Sequence, residues 1–184
     1  MMYMIGIIFG SIVLIGVIVV YYINKVIMLG NRVDNAWSQI DVQLKKRVDL
    51  IPNLVEAVKG YMKHEKDVIA SVTNARERML SAKTDEDKVK ANNQITGALK
   101  TIFALAENYP KLRANENFMM LQEEMSGVEN KIAYSRQFYN DSILTYNNLV
   151  SMFPGMIFAG ILGKKKKKHL EISSTEREPV KVKF

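Results

Sequence analysis

From Met1 to Ile23 the chain carries no charged side chain, and Ile, Val, Met and Leu dominate. A helix over this stretch would be roughly 35 Å long, enough to cross a hydrocarbon core of about 30 Å. Helices are the only open-chain form that satisfies its own backbone hydrogen bonds in lipid. Gly6, Gly10 and Gly16 are compatible with that reading, because glycine is frequent in transmembrane helices. The pattern changes after Gly30-Asn31, where Asn31 suits an N-cap. Val33, Trp37, Ile40, Leu44 and Val48 then recur at three- and four-residue steps, one apolar stripe on an amphipathic helix. Trp37, the only tryptophan, reads as a packing anchor.

Pro52 admits two readings. The stripe continues through it at Ile51, Val55, Val58 and Met62, as a single kinked helix would allow. Against that, proline disfavours helical geometry at the preceding residue and costs about 3 kcal/mol inside a helix. Length favours a break: one helix over 32–82 would reach about 75 Å with only shorter helices to pack on it. A break at Leu50-Ile51 places Pro52 at a first helical position and yields four helices whose lengths can overlap. The second would run to about Ala82 with Val55, Val58, Met62, Ile69, Val72 and Leu80 on its stripe. Thr84 can cap the third, with Asp85, Glu86 and Asp87 in the dipole-favoured first turn and Val89, Ile95, Leu99, Ile102 and Phe103 on its stripe. Asn92, Asn93, Thr96 and Gly97 weaken its centre. Asn108-Tyr109-Pro110 ends it, and Asn115 caps the fourth. That last stripe runs Phe118, Leu121, Met125, Val128, Ile132, Tyr139, Ile143, Tyr146 and Val150. Its spacing suits antiparallel bundle packing. The expected architecture is all-α: a transmembrane anchor over 1–24, an antiparallel four-helix bundle over 31–152, and a partly disordered tail over 153–184. Trp37, Pro52, Phe118 and Tyr139 are its expected core anchors.

The tail opens with Phe153-Pro154-Gly155 and an apolar run, Met156 to Gly163, far too short to span a bilayer. Lys164, Lys165, Lys166, Lys167 and Lys168 follow directly. The net charge of +7 concentrates here: residues 164–184 hold 8 Lys/Arg against 3 Asp/Glu, whereas 31–163 hold 17 against 16. A nearly neutral folded part argues against a nucleic-acid-binding face. At the other end, the start lacks the basic residues and the small-residue cleavage site of a secretory signal. Tyr21 and Tyr22 stand where interfacial aromatics belong. Lys25, Arg32, Lys45, Lys46 and Arg47 all follow the apolar stretch, so the positive-inside rule predicts a short outer N-terminus and a cytoplasmic domain at the cell membrane. The absence of cysteine agrees with a reducing compartment.

Catalytic and metal signatures are missing. Without cysteine there is no thiol nucleophile and no thiolate metal site. His64 and His169 are the only histidines and neither has metal-motif neighbours, so no metal, cofactor or catalytic residue is expected. No phosphate-cradling glycine loop occurs. Asp85-Glu86-Asp87 is explained by a helix start, and the sequon Asn140-Asp141-Ser142 lies within a predicted helix.

Several runs together resemble the LemA family of bacterial membrane proteins. They are Asn35-Ala36-Trp37-Ser38-Gln39-Ile40-Asp41-Val42-Gln43-Leu44-Lys45-Lys46-Arg47, Asp49-Leu50-Ile51-Pro52-Asn53-Leu54-Val55, Tyr109-Pro110-Lys111-Leu112-Arg113-Ala114-Asn115-Glu116-Asn117-Phe118, and Glu129 to Arg136 with Tyr139-Asn140. Phe153-Pro154 and the apolar run after it also match. The resemblance implies one N-terminal span with a short outer end and an antiparallel four-helix cytoplasmic domain. It implies no catalytic residues, since the family brings no agreed biochemical activity. The five-lysine run is more basic than the usual tail.

The expected function is non-enzymatic: a helical adaptor held at the membrane that presents a surface to a protein partner, with neither nucleic acid nor a small-molecule substrate. Asn35/Gln39 and Gln137/Asn140/Asn147/Asn148 are candidates for that surface. The alternative is a lipid-interacting, membrane-organising protein. It would act through Met156, Ile157, Phe158, Ile161 and Leu162 with Lys164 to Lys168.

Overall fold

The computed structural model describes residues 1–170, so expectations for 171–184 lie outside the described residues. Those residues are all-helical: α1 Met2–Lys59, α2 Lys66–Ser81, α3 Asp85–Ala106, α4 Pro110–Arg113, α5 Glu116–Ser151 and α6 Gly155–Ile161. They form two compact units, one of residues 40–134 and one of residues 1–39 with 135–170, and α1 and α5 contribute to both.

Two expected breaks are absent. Gly30-Asn31 and Pro52 both lie inside α1, which continues to Lys59. Asn31 is therefore no cap, and Pro52 is no anchor, since it sits exposed on the helix surface. The physical reason is where the cost of proline falls. Pro52 has no N–H, so the carbonyl of Val48, four residues back, loses its intrahelical donor. Arg76 of α2 donates from Nε to that oxygen at 3.3 Å. The orphaned acceptor is thus satisfied by a neighbouring helix, while Ile51 and Leu54 on either side are fully packed. Burial of those side chains outweighs a local propensity cost. The true interruption comes at Gly60, where the residue with the weakest helix propensity after proline meets a turn. Met62, expected on a continuing stripe, instead plugs the core from the link between α1 and α2.

In the unit of residues 40–134 the core draws on α1, α2, α3 and α5, with Leu112 added by the short α4. Ile40, Leu44, Val48, Ile51, Leu54 and Val58 come from α1, and Val72 and Met79 from α2. Ile95, Leu99 and Ile102 come from α3, and Phe118, Met125, Val128 and Ile132 from α5. Leu80, assigned to the α2 stripe, is exposed, and Met79 takes the inward position. Phe103 and Phe118 meet edge to face with centroids 6.1 Å apart. Both internal caps form as the local sequence dictates. Thr84 Oγ1 accepts from the Asp87 N–H at 3.1 Å, and Asn115 Oδ1 from the Phe118 N–H at 3.1 Å. The linkers are tied together where Tyr109 donates to Glu65 Oε1 and Asn115 to Tyr61 Oη.

The other unit is built differently. Residues 2–21 of α1 are exposed at every position but Val19, and α1 is the one helix among the described residues long and apolar enough to cross a membrane. Further along, Val26, Leu29, Val33 and Ala36 are buried, with Ile143 and Tyr146 of α5 and Phe158 and Ala159 of α6. Trp37 and Tyr139 are half-buried and touch ring to ring, with centroids 5.5 Å apart. Tyr22 stacks on Phe158 at 5.4 Å. Since position 22 meets 158, 30 meets 146 and 37 meets 139, α1 runs antiparallel to the limb formed by α5 and α6.

Candidate functional site

Arg47 centres a buried polar cluster in the unit of residues 40–134. It occupies the inward face of α1, three residues after Leu44 and four before Ile51, and is only 3% exposed. Its guanidinium donates to Asn92 Oδ1 at 2.7 Å and Thr96 Oγ1 at 2.9 Å, both on α3. Its Nη2 lies 2.7 Å from Glu129 Oε2 of α5, off the N–H direction, so that contact is an ion pair without an aligned hydrogen bond. Arg47 Nε and Gln43 Oε1, one helical turn earlier, are buried without a protein partner. Burial pushes the guanidinium below its ordinary range and the Glu129 carboxylate pulls it back up. Guanidinium basicity keeps it charged at neutral pH all the same. An ionised arginine held between three helices is a tether, with no free proton or nucleophile to offer. The local sequence marks it only as flanking charge, and Asn92 and Thr96 only as weak helix formers. A finer signal is present: Arg47, Asn92 and Glu129 each fall on the apolar stripe of their own helix.

The face of α5 that carries Asn140 and Asn147 belongs to the unit of residues 1–39 and 135–170. The sequence offers both, beside Gln137 and Asn148, as candidates for a partner-binding surface. Gln137 and Asn148 are exposed, but Asn140 and Asn147 are occupied. Asn147 accepts the Lys167 N–H at 2.9 Å and donates to the Lys167 carbonyl at 2.8 Å. Asn140 does the same to Leu170, at 2.9 and 3.2 Å. Lys167 Nζ pairs with Asp34 of α1 and sits 5.9 Å from the Tyr146 ring centroid. The segment around Lys167 is therefore strapped back along α5. Asn35 and Gln39 bond to one another on the surface of α1.

In α6, Phe158 is packed, while Met156, Ile157 and Ile161 are exposed, as are Met152 and Phe153 before it. Leu162, just after the helix, is half-buried. Lys164, Lys165, Lys166 and Lys168 are exposed, and Lys167 is half-buried. The five lysines are not equivalent. Elsewhere, among the described residues, no His, Cys, Asp and Glu cluster suits a metal, and His64 and His169 are exposed. An open groove between α2 and α3 is lined by Ser71, Asn74, Arg78, Gln94 and Thr101.

The model of the LemA family matches residues 36–184. The chain belongs to the LemA family. The match takes in all three features, from Arg47 through Asn140 to the lysine run. The chain is also similar to a curated protein named Protein LemA, of Metamycoplasma hominis, with 23% identity over 131 residues. That stretch is 71% of this chain and spans 60% of the relative's length. Arg47 and Glu129, which sit in two of the runs that carry the LemA likeness, are partners across the core.

Proposed function

We propose that this LemA-family chain is a non-enzymatic, membrane-anchored interaction protein whose helical domain presents a surface to a protein partner in the cytoplasm. The observation that carries the reading is α1 itself. Its first twenty or so residues form a charge-free apolar cylinder with nothing packed on it, an arrangement that water penalises and lipid does not. The same helix then continues without interruption into packed positions from Val26 onward. In this reading α1, α2, α3 and α5 pack as an antiparallel four-helix bundle, and the buried Arg47 cluster sets which faces meet. The one-sided Lys/Arg flank supports a short outer N-terminus. Protease added to intact cells is expected to spare everything beyond residue 31, and to digest it after lysis. Cleavage there without lysis would overturn the orientation.

A lipid-facing role for the tail has its own support. Phe158 stacks on Tyr22, at the end of the apolar stretch, so α6 lies at the level where a bilayer surface would fall. From there Phe153 and Ile161, 79% and 71% exposed, turn apolar surface outward beside four exposed lysines. That is the composition of an interfacial anchor, each lysine near an anionic leaflet contributing about 1 kcal/mol. With Trp37→Phe and Phe153→Trp, the single indole is expected to be quenched by brominated lipid in reconstituted bilayers. Unquenched, water-like emission would rule out insertion of α6.

A further inference from the structure

We infer that the Asn140/Asn147 face of α5 is a binding site for an extended, lysine-bearing peptide, and that the chain's own residues 167–170 occupy it as a resident competitor. The inference rests on the interaction-protein reading and names the chemistry of the partner. Its basis is a match of two repeats. Asn140 and Asn147 are seven residues apart, about 10.5 Å along a helix and almost on one face. Lys167 and Leu170 are three residues apart, about 10 Å along an extended chain. Each amide therefore meets one residue of an extended segment. Each both donates to that residue's carbonyl and accepts from its N–H, which fixes the orientation of both amides.

What the site reads follows from which atoms it touches. The two clamps hold main chain only, so they are blind to side chains, as in other extended-peptide recognition. Selectivity comes from the first clamp, where the Asp34 carboxylate and the Tyr146 ring take the ammonium of Lys167. Lys168 and His169 are exposed and unread, while Leu170 at the second clamp is half-buried. The fitting ligand is an extended segment with lysine at the first clamp and an apolar residue three positions on. The resident strap is held through atoms any such segment would offer, and its one ion pair uses an Asp34 side chain that is 70% exposed and so readily rehydrated. An incoming segment can therefore replace it.

The test uses the full chain in a neutral detergent and a fluorescein-labelled peptide of sequence Lys-Lys-Lys-Lys-Lys-His-Leu, blocked at both ends, followed by anisotropy. In the parent, the tethered strap competes at high effective concentration, so binding is weak. Lys167→Pro with Leu170→Pro, which removes both clamped N–H donors and the Lys167 ammonium from the strap, is expected to tighten peptide binding by about tenfold or more. Asn140→Ala with Asn147→Ala in that background is expected to abolish the gain. Asp34→Asn is expected to weaken binding and flatten its salt dependence. The decisive control is a peptide N-methylated at the amides matching Lys167 and Leu170. It keeps every charge but loses both clamped donors, and should bind about tenfold more weakly, the loss of one to two hydrogen bonds. Should that chain fail to fold, ending the chain at Gly163 removes the strap altogether and frees the same site. Equal binding of plain and methylated peptides, no gain on freeing the site, or capture of the freed tail by anionic vesicles with no peptide binding would each overturn the inference. The protease experiment on intact cells reads membrane placement alone, so its result stands whichever way the peptide behaves.

Discussion

Replacing Arg47 by alanine is expected to destabilise the domain by about 3 kcal/mol, among the largest single-site losses in the chain. The guanidinium is almost wholly enclosed and donates to two side chains of α3 while pairing with Glu129 of α5. Its removal strands the Asn92 amide, itself only 4% exposed, and leaves the carboxylate to find water. Glu129→Ala should cost about as much, by a different route. Glu129 is 39% exposed and would itself be missed little, but the charge left behind on Arg47 cannot reach solvent. Replacing the cluster as a unit (Arg47→Met, Asn92→Leu, Glu129→Met) is expected to return stability to within about 1 kcal/mol of the parent, because an apolar core of similar volume needs no compensation. The measurement is urea unfolding of the full chain in micelles, followed by far-ultraviolet circular dichroism. A loss below about 0.5 kcal/mol for Arg47→Ala would mean the side chain is solvated and the three-helix tether does not exist.

The second large effect lies in the other unit. Tyr146 is the largest fully buried side chain there, enclosed by Leu29, Val33 and Ile143, and Tyr146→Ala is expected to cost about 3–4 kcal/mol. Gly30 of α1 provides a graded companion test, since a Cβ there would stand 3.8 Å from the Tyr146 ring, an ordinary contact. Gly30→Ala is therefore expected to gain up to about 1 kcal/mol from helix propensity. Gly30→Leu would drive a larger group into the ring and should lose about 1–3 kcal/mol. Thermal unfolding in the same micelles should rank Gly30→Ala above the parent, the parent above Gly30→Leu, and Tyr146→Ala lowest. An unchanged melting temperature for Tyr146→Ala would mean that α5 does not pack on α1 at this level.

These expectations differ in how far they can be read from residues alone. Thr84 and Asn115 are legible as caps because a cap is a contact over three residues, and both hydrogen bonds form. The charge-free apolar stretch is legible because length and composition are properties of the chain itself. So are most positions of the stripes that become the core, from Ile40 to Val58 and from Phe118 to Ile132, except that Leu54 is fully buried where the stripe places Val55, which is half-buried. Pro52 and Gly30 mislead for the opposite reason. Each raises a local cost of a few kcal/mol at most, and whether a helix stops there depends on what packs beside it. Arg76, 28 residues away from Val48, meets the carbonyl that Pro52 leaves open.

The same distance in sequence hides the polar partnerships. Arg47 finds Asn92 across 45 residues, and Asn147 finds Lys167 across 20. Nothing in the local pattern of a buried arginine or a half-buried asparagine names its partner; only the packing of one segment against another does. The sequence by itself determined that the chain is helical, that its first stretch is lipid-like, and which face of α1, α3 and α5 turns inward, because those follow from side-chain chemistry repeated along one backbone. Tertiary structure decided where α1 ends, which polar groups share the core, and that the lysine run doubles back on α5, because each is settled by energies between groups that only packing brings within a few ångströms.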